Sequence, residues 1–171
     1  CARSPRDDGG VRFSRLRRHS PAELRAMYAG GRGNDEAREW ARFWARVNTT
    51  KLLPQRWVTL EVPGRKSGAI TRFPLGMARY QGNWYLVSML GECNWTRNVR
   101  AADGLVTLRG RHTRRCRLIE VPPDDRAPIL KRYLAQVPGA RPHLPVDRTA
   151  PIASFIALGP TYPVFRVVPE P

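Results

Sequence analysis

At 171 residues, with 42% hydrophobic and 26% charged content, the chain has the make-up of one globular domain, which excludes wholesale disorder. No apolar run approaches the ~18–20 residues of a spanning helix. The first residues lack the apolar stretch of a secretory signal, and because they open on Cys1 rather than Met the true start is expected further upstream.

A net charge of +16 calls for an anionic partner. Clustered cations would point to nucleic acid through counterion release. Here only Lys51, Lys66 and Lys131 are lysines, and the arginines are spread along the chain in a way that GC-rich codons would partly produce. The distribution therefore argues against nucleic acid. The three cysteines, Cys1, Cys93 and Cys116, form no C-x-x-C pair and no even framework, so reduced thiols and a cytoplasmic setting are expected.

In chain order, residues 1–19 carry six arginines among few large apolar groups and read as a mobile basic arm ahead of a single domain spanning residues 20–171. Ser20-Pro21-Ala22-Glu23 is a capping box with Pro at the first helical position, opening a helix to about Ala29 before Gly30-Gly31. A second helix is expected over residues 35–48. Trp40, Phe43, Trp44 and Val47 lie on one side of it and Arg38, Arg42 and Arg46 on the other, either covering the domain or lying on an anionic membrane surface.

From Arg56 the period changes from helical to alternating. Strands are expected from Trp57 to Val62 and from Thr71 to Tyr80, the second entering a hairpin turn at Gln81-Gly82-Asn83 that leads to a strand from Trp84 to Met89. A short helix at residues 94–102 follows. A second hairpin, Leu105–Arg109 and 113–121, turns at Gly110-Arg111-His112. A helix covers about 124–137, a Pro-rich loop runs from 138 to 151, a turn or two of helix occupies 151–158, and a last strand spans 162–168. Antiparallel strands with interspersed helices make an α+β, barrel-like domain.

Three segments carry chemistry. Gly64-Arg65-Lys66-Ser67-Gly68 offers backbone N–H groups, a guanidinium fork, an ammonium and a hydroxyl to a phosphate. Arg65 stands where a Walker A loop needs glycine, and a solvated hairpin loop uses the same glycines. Pro74-Leu75-Gly76 interrupts a strand, either as a bulge or as a flat place for a planar ligand. Trp95 and Asn98, three apart on a helix, share a face; they can line an aromatic pocket or serve as core and cap, and Arg97 and Arg100 add charge. No G-x-S-x-G is present and His19, His112 and His143 show no ligand spacing, so no metal site is expected.

Taken in order, Gly-Arg-Lys-Ser-Gly, Pro-Leu, a hairpin and Trp95-Thr96-Arg97-Asn98-Val99-Arg100-Ala101 resemble the deazaflavin-dependent nitroreductase family, within the split β-barrel flavin and deazaflavin oxidoreductases. The resemblance covers about Val58 to Val121. It implies a split β-barrel binding coenzyme F420, a hydride-carrying deazaflavin with a phosphate and an oligoglutamate tail. By position, Arg65, Lys66 and Ser67 would hold phosphate and tail, with Arg72 along the same groove. Pro74, Leu75 and Gly76 would back the ring beside Val87 and Ser88, and Trp95 and Asn98 would close the cofactor side. Thr96 departs from the family, which commonly has Tyr after the Trp, and the Leu90–Asn94 connection is shorter than usual.

The function implied is reduction of an electron-poor small-molecule acceptor (a quinone, enone or nitro compound), with water or one of Tyr28, Tyr80, Tyr85, Tyr133 and Tyr162 as proton source. FMN is the alternative cofactor. The rival readings are a non-catalytic cofactor binder and a basic nucleic-acid or membrane-surface binder. A homodimer is left open.

Overall fold

The computed structural model describes residues 55–171. The expected basic arm and the two expected helices at residues 20–29 and 35–48 lie outside the described residues.

Six antiparallel strands close into a barrel in the order β1-β2-β3-β6-β5-β4. They are β1 Trp57–Pro63, β2 Ile70–Tyr80, β3 Asn83–Val87, β4 Leu105–Arg109, β5 Thr113–Glu120 and β6 Val164–Pro169. Pairing of β1 with β4 shuts the ring. The split-barrel class expected from sequence is the one observed. Among the described residues three α-helices accompany the strands: α1 Asn94–Ala101, α2 Ala127–Gln136 and α3 Ile152–Ile156.

Strand alternation builds two cores. Val58, Leu60 and Val62 of β1 point into the barrel with Met77, Leu86, Val106, Leu108, Cys116, Leu118 and Phe165. The alternate residues of β2, β3 and β6, among them Ala78, Tyr85, Val87 and Val164, point outward. On that outer face they meet Ile129, Leu130, Tyr133 and Leu134 of α2. Helix α1 is short and amphipathic; its Trp95 and Val99 enter the barrel core and close one end of it. Trp95 meets Phe165 at 5.4 Å between ring centroids, tilted by 54°, a favourable aromatic arrangement.

The β2–β3 turn is one residue shorter than expected, because Tyr80 pairs with Asn83 and leaves only Gln81 and Gly82 between the strands. Both have positive φ, 45° and 78°, the primed turn whose twist matches a hairpin. The helix expected over 124–137 starts at Ala127, after a 3₁₀ turn at Pro123–Asp125. The Pro-rich segment opens with a second 3₁₀ turn, Pro138–His143.

Candidate functional site

The β1–β2 loop and α1 lie at the same end of the barrel, and the structure joins them through one side chain. Asn98, 4% exposed, accepts at Oδ1 from the Arg65 backbone N–H at 3.3 Å and from Arg65 Nη1 at 3.0 Å. Its Nδ2 donates to Thr71 Oγ1 at 3.2 Å, and the Thr71 hydroxyl donates to the Val62 carbonyl at 2.8 Å. Asn94, one turn earlier, accepts long bonds of 3.5 Å from both terminal nitrogens of Arg65. The loop, for which the sequence offered both a phosphate site and a solvated hairpin turn, is thus tied to α1 by a buried amide.

The loop closes on itself through Gly64 N–H to Ala69 O at 2.8 Å and Gly68 N–H to Gly64 O at 2.7 Å. Gly68 takes φ +68°, where a side chain would be strained. The Arg65 and Gly68 amides are therefore engaged within the protein, and the anion-binding potential of the backbone falls to Lys66 and Ser67. Arg65, Lys66 and Ser67 are all exposed. Neither Arg65 nor Lys66 has a carboxylate partner among the described residues, so the tip carries two uncompensated charges. The Ser67 hydroxyl accepts from the Ala69 amide at 3.3 Å.

Further along β2 the expected residues part company, because alternation sends neighbours to opposite faces. Arg72 lies opposite Glu61 on the outer face and donates to its Oε1 at 2.8 Å. Arg109 on β4 holds the other oxygen of Glu61 at 2.8 Å. Burial pushes the Glu61 carboxyl up, but the bonds and charges of Arg109 and Arg72 outweigh it and hold the group below the usual carboxylate range. Two residues earlier on the same face of β1, Thr59 is 2% exposed, and its hydroxyl has no hydrogen-bond partner among the described residues. Pro74 lies opposite it.

Leu75 turns inward and packs on the barrel core. The space above Gly76 is occupied: a Cβ there would come within 2.8 Å of Val137 Cγ1 and 3.3 Å of Trp57 Cζ3. Gly76 therefore makes room for the end of α2. Val87 is 1% exposed within the outer core. Ser88 is tied down as well, its hydroxyl donating to Gly91 O at 2.5 Å beside Cys93 Sγ at 3.2 Å. The structure thus assembles Arg65, Lys66, Ser67, Trp95 and Asn98 at one end, keeps Arg72 and Pro74 on the adjoining outer face, and sets Leu75, Gly76, Val87 and Ser88 into packing.

The charges expected of Arg97 and Arg100 are neutralised. Arg100 reaches Glu92 at 2.8 Å and Glu120 at 2.7 Å, and Arg97 Nε lies 3.6 Å from Glu92. Thr96 is fully buried; its hydroxyl donates to Glu92 Oε1 at 2.6 Å and accepts from the Cys93 amide at 3.2 Å, completing a cap for α1. Burial would raise the Glu92 carboxyl, but Thr96 and the two arginines hold it low. Glu120 continues to Arg126, 5% exposed, at 3.0 Å. Arg126 also donates to the carbonyls of Val121 and Gly159 at 2.7 and 2.8 Å.

Among the described tyrosines, Tyr85 of β3 and Tyr133 of α2 are buried in the core between barrel and helix, where burial pushes the Tyr133 hydroxyl far up. Tyr162 donates to His143 O at 3.4 Å, and burial raises it too. Asn94, Thr71 and the Glu61 clamp escaped the sequence reading. Hairpin register counted back from the glycine loop would have found Glu61 opposite Arg72. No group of His, Cys, Asp and Glu among the described residues is arranged to hold a metal ion.

A family model for the F420H(2)-dependent quinone reductases matches residues 35–154. The chain belongs to that family. Its cofactor is accordingly coenzyme F420, and the chain is an F420-dependent oxidoreductase of the barrel type. No curated protein matches the chain. Among solved structures, an F420-H2 dependent reductase is 20% identical over 67% of this chain and 96% of its own, with a TM-score of 0.47. A domain-swapped dimer is 21% identical over 78% of this chain and 97% of its own, at 0.48. A protein of unknown function from Agrobacterium tumefaciens is 18% identical, with 74% of this chain on 54% of that one, at a TM-score of 0.51, and it shares the fold.

The donors at the α1 end suit the F420 tail, since phosphate and carboxylate oxygens require what the loop offers: a guanidinium held in place by Asn98, an ammonium, and the Lys66 and Ser67 amides, which have no acceptor among the described residues.

Proposed function

We propose that this family member is a reductase that delivers a hydride from reduced F420 to an electron-poor acceptor. A quinone comes first, with enones and nitro compounds as further acceptors. The observation that carries the reading is the Arg65–Asn98 junction, which presents the loop's two uncompensated cations at a fixed place on α1. When bound, the coenzyme supplies a two-electron hydride donor. The chain's share is to hold Arg65, Lys66 and Ser67 against the phosphate and tail and to keep Arg72 and Pro74 beside them on the outer face. With Arg72 and Arg109 each holding one oxygen of the Glu61 carboxylate, Arg72 keeps a fixed direction before any ligand arrives. Tyr85 and Tyr133 are sealed in the core, which leaves water, Tyr28, Tyr80 and Tyr162 as sources of the acceptor's proton.

The test is a fluorescence titration of the full chain with oxidised and reduced F420 and with FMN, followed by consumption of reduced F420 with menadione, an enone and a nitroimidazole. Tight F420 binding with turnover on menadione supports the reading. Tight FMN binding without F420 binding would replace the cofactor, and F420 binding without turnover on any acceptor would leave a cofactor carrier. A homodimer and a cytoplasmic, membrane-peripheral location belong to this proposal. Among the described residues no helix is long and apolar enough to cross a membrane.

A further inference from the structure

The barrel has a second end. Helix α1 closes the end where β1 finishes, whereas the opposite end is bordered by the turns at Gln81-Gly82 and Gly110-Arg111-His112. Between those turns lies a cavity of about 210 Å³. Its floor is the lower layer of the barrel core: Val58, Met77, Leu108 and Val167, with the Cys116 thiol among them. Burial raises that thiol's pKa, so the floor carries no charge. Trp84 forms a wall, steadied by the Arg79 guanidinium 5.9 Å from its ring centroid.

The rim is cationic. Arg111, His112 and Arg114 border the opening, and neither arginine has a carboxylate partner among the described residues. The neighbouring arginines differ, since Arg109 is held by Glu61 at 2.8 Å and Arg117 by Glu170 at 3.2 Å. Glu170, the acid nearest this mouth along β6, is therefore already engaged. A buried apolar floor beneath two unpaired guanidinium groups selects one kind of ligand: a small hydrocarbon or aromatic body carrying a single anionic head. The seven residues of β1 separate this mouth from the Lys66 loop by roughly 20 Å.

We propose that this end of the barrel is a separate binding site for small amphipathic carboxylates, with the apolar part on Met77 and Leu108 and the carboxylate between Arg111 and Arg114. The site is independent of the F420 reading, because it shares no residue with the loop–α1 junction.

The test is calorimetric titration of the full chain with 3-phenylpropionate and with its neutral counterpart 3-phenylpropanol, alongside the methyl NMR signal of Met77. The wild type should bind the acid at one site, shift the Met77 methyl, and bind the alcohol at least about tenfold more weakly. Arg111→Ala/Arg114→Ala, a surface change that leaves the core intact, should erase the preference for the acid. Lys66→Ala should leave the titration unaltered. Loss of binding in Lys66→Ala, equal binding of acid and alcohol, no binding at all, or a dimer that Arg111→Ala/Arg114→Ala dissolves would each overturn the proposal.

Discussion

The amide oxygen of Asn98 holds both the backbone and the side chain of Arg65, so the order of the β1–β2 loop is set by a residue 33 positions away on α1. Replacing Asn98 with Ala leaves the Arg65 amide and Thr71 without their partner at a buried site. A loss of about 1–3 kcal/mol in unfolding free energy is expected. Denaturant titration measures it, and an unchanged midpoint would show that the junction does not support the fold.

Lys66 gives the contrasting case. It is exposed and has no partner among the described residues, so Lys66→Ala should leave the melting temperature unaltered. F420 affinity should fall by about ten- to hundredfold if a charge-assisted bond to the tail is lost. Unchanged affinity in the fluorescence titration would remove the loop from the cofactor site.

Gly76 is a packing requirement. Gly76→Ala should cost about 1–3 kcal/mol, because the new Cβ meets Val137 Cγ1 at 2.8 Å. Val137→Ala in the same chain should restore part of that loss. If thermal unfolding shows no recovery in the double variant, the clash lies elsewhere.

The Glu61 clamp predicts a pH dependence of definite sign. Its folded pKa lies below that of the unfolded chain, so its contribution is present above the ordinary glutamate value of about 4.3 and fades as pH drops through the folded value. Glu61→Gln should therefore flatten the acid limb of stability against pH. With Arg72 and Arg109 largely in solvent, the gain near neutrality is about 1 kcal/mol. Parallel acid limbs for the two proteins would contradict the clamp.

Trp95 belongs to the barrel core as much as to any ligand. Trp95→Ala should cost about 3–5 kcal/mol by opening a cavity against Phe165. Trp95→Phe keeps much of the packing, and F420 affinity measured on it separates a cofactor contact from a structural one.

Period-two alternation and turn residues made the strands legible, down to the hairpin at Gln81-Gly82. The helical spacing of Trp95, Asn98 and Val99 made α1 legible too. What escaped were long-range pairings: nothing near Arg126 in sequence announces the Gly159 carbonyl that it meets 33 residues on. The packing of Gly76 and Val87 on the side of α2 was hidden for a related reason. Small and apolar residues on a strand suit a flat ligand and a covering helix equally, and strand periodicity does not show where α2 lies.

The ring is not uniformly fastened. Seven residue pairs join β1 to β2, whereas only Thr59, Leu60 and Glu61 join β1 to β4. Local opening favours the least-bonded boundary, so amide deuteration is expected to invade the β1–β4 ladder first. The same boundary unites strands distant in sequence, which places its formation late, after the two hairpins have zipped. The β3–β6 and β5–β6 ladders join strands at least as distant, so the molecule would mature from separate hairpins into a cylinder only once β4 and β6 have both found their partners.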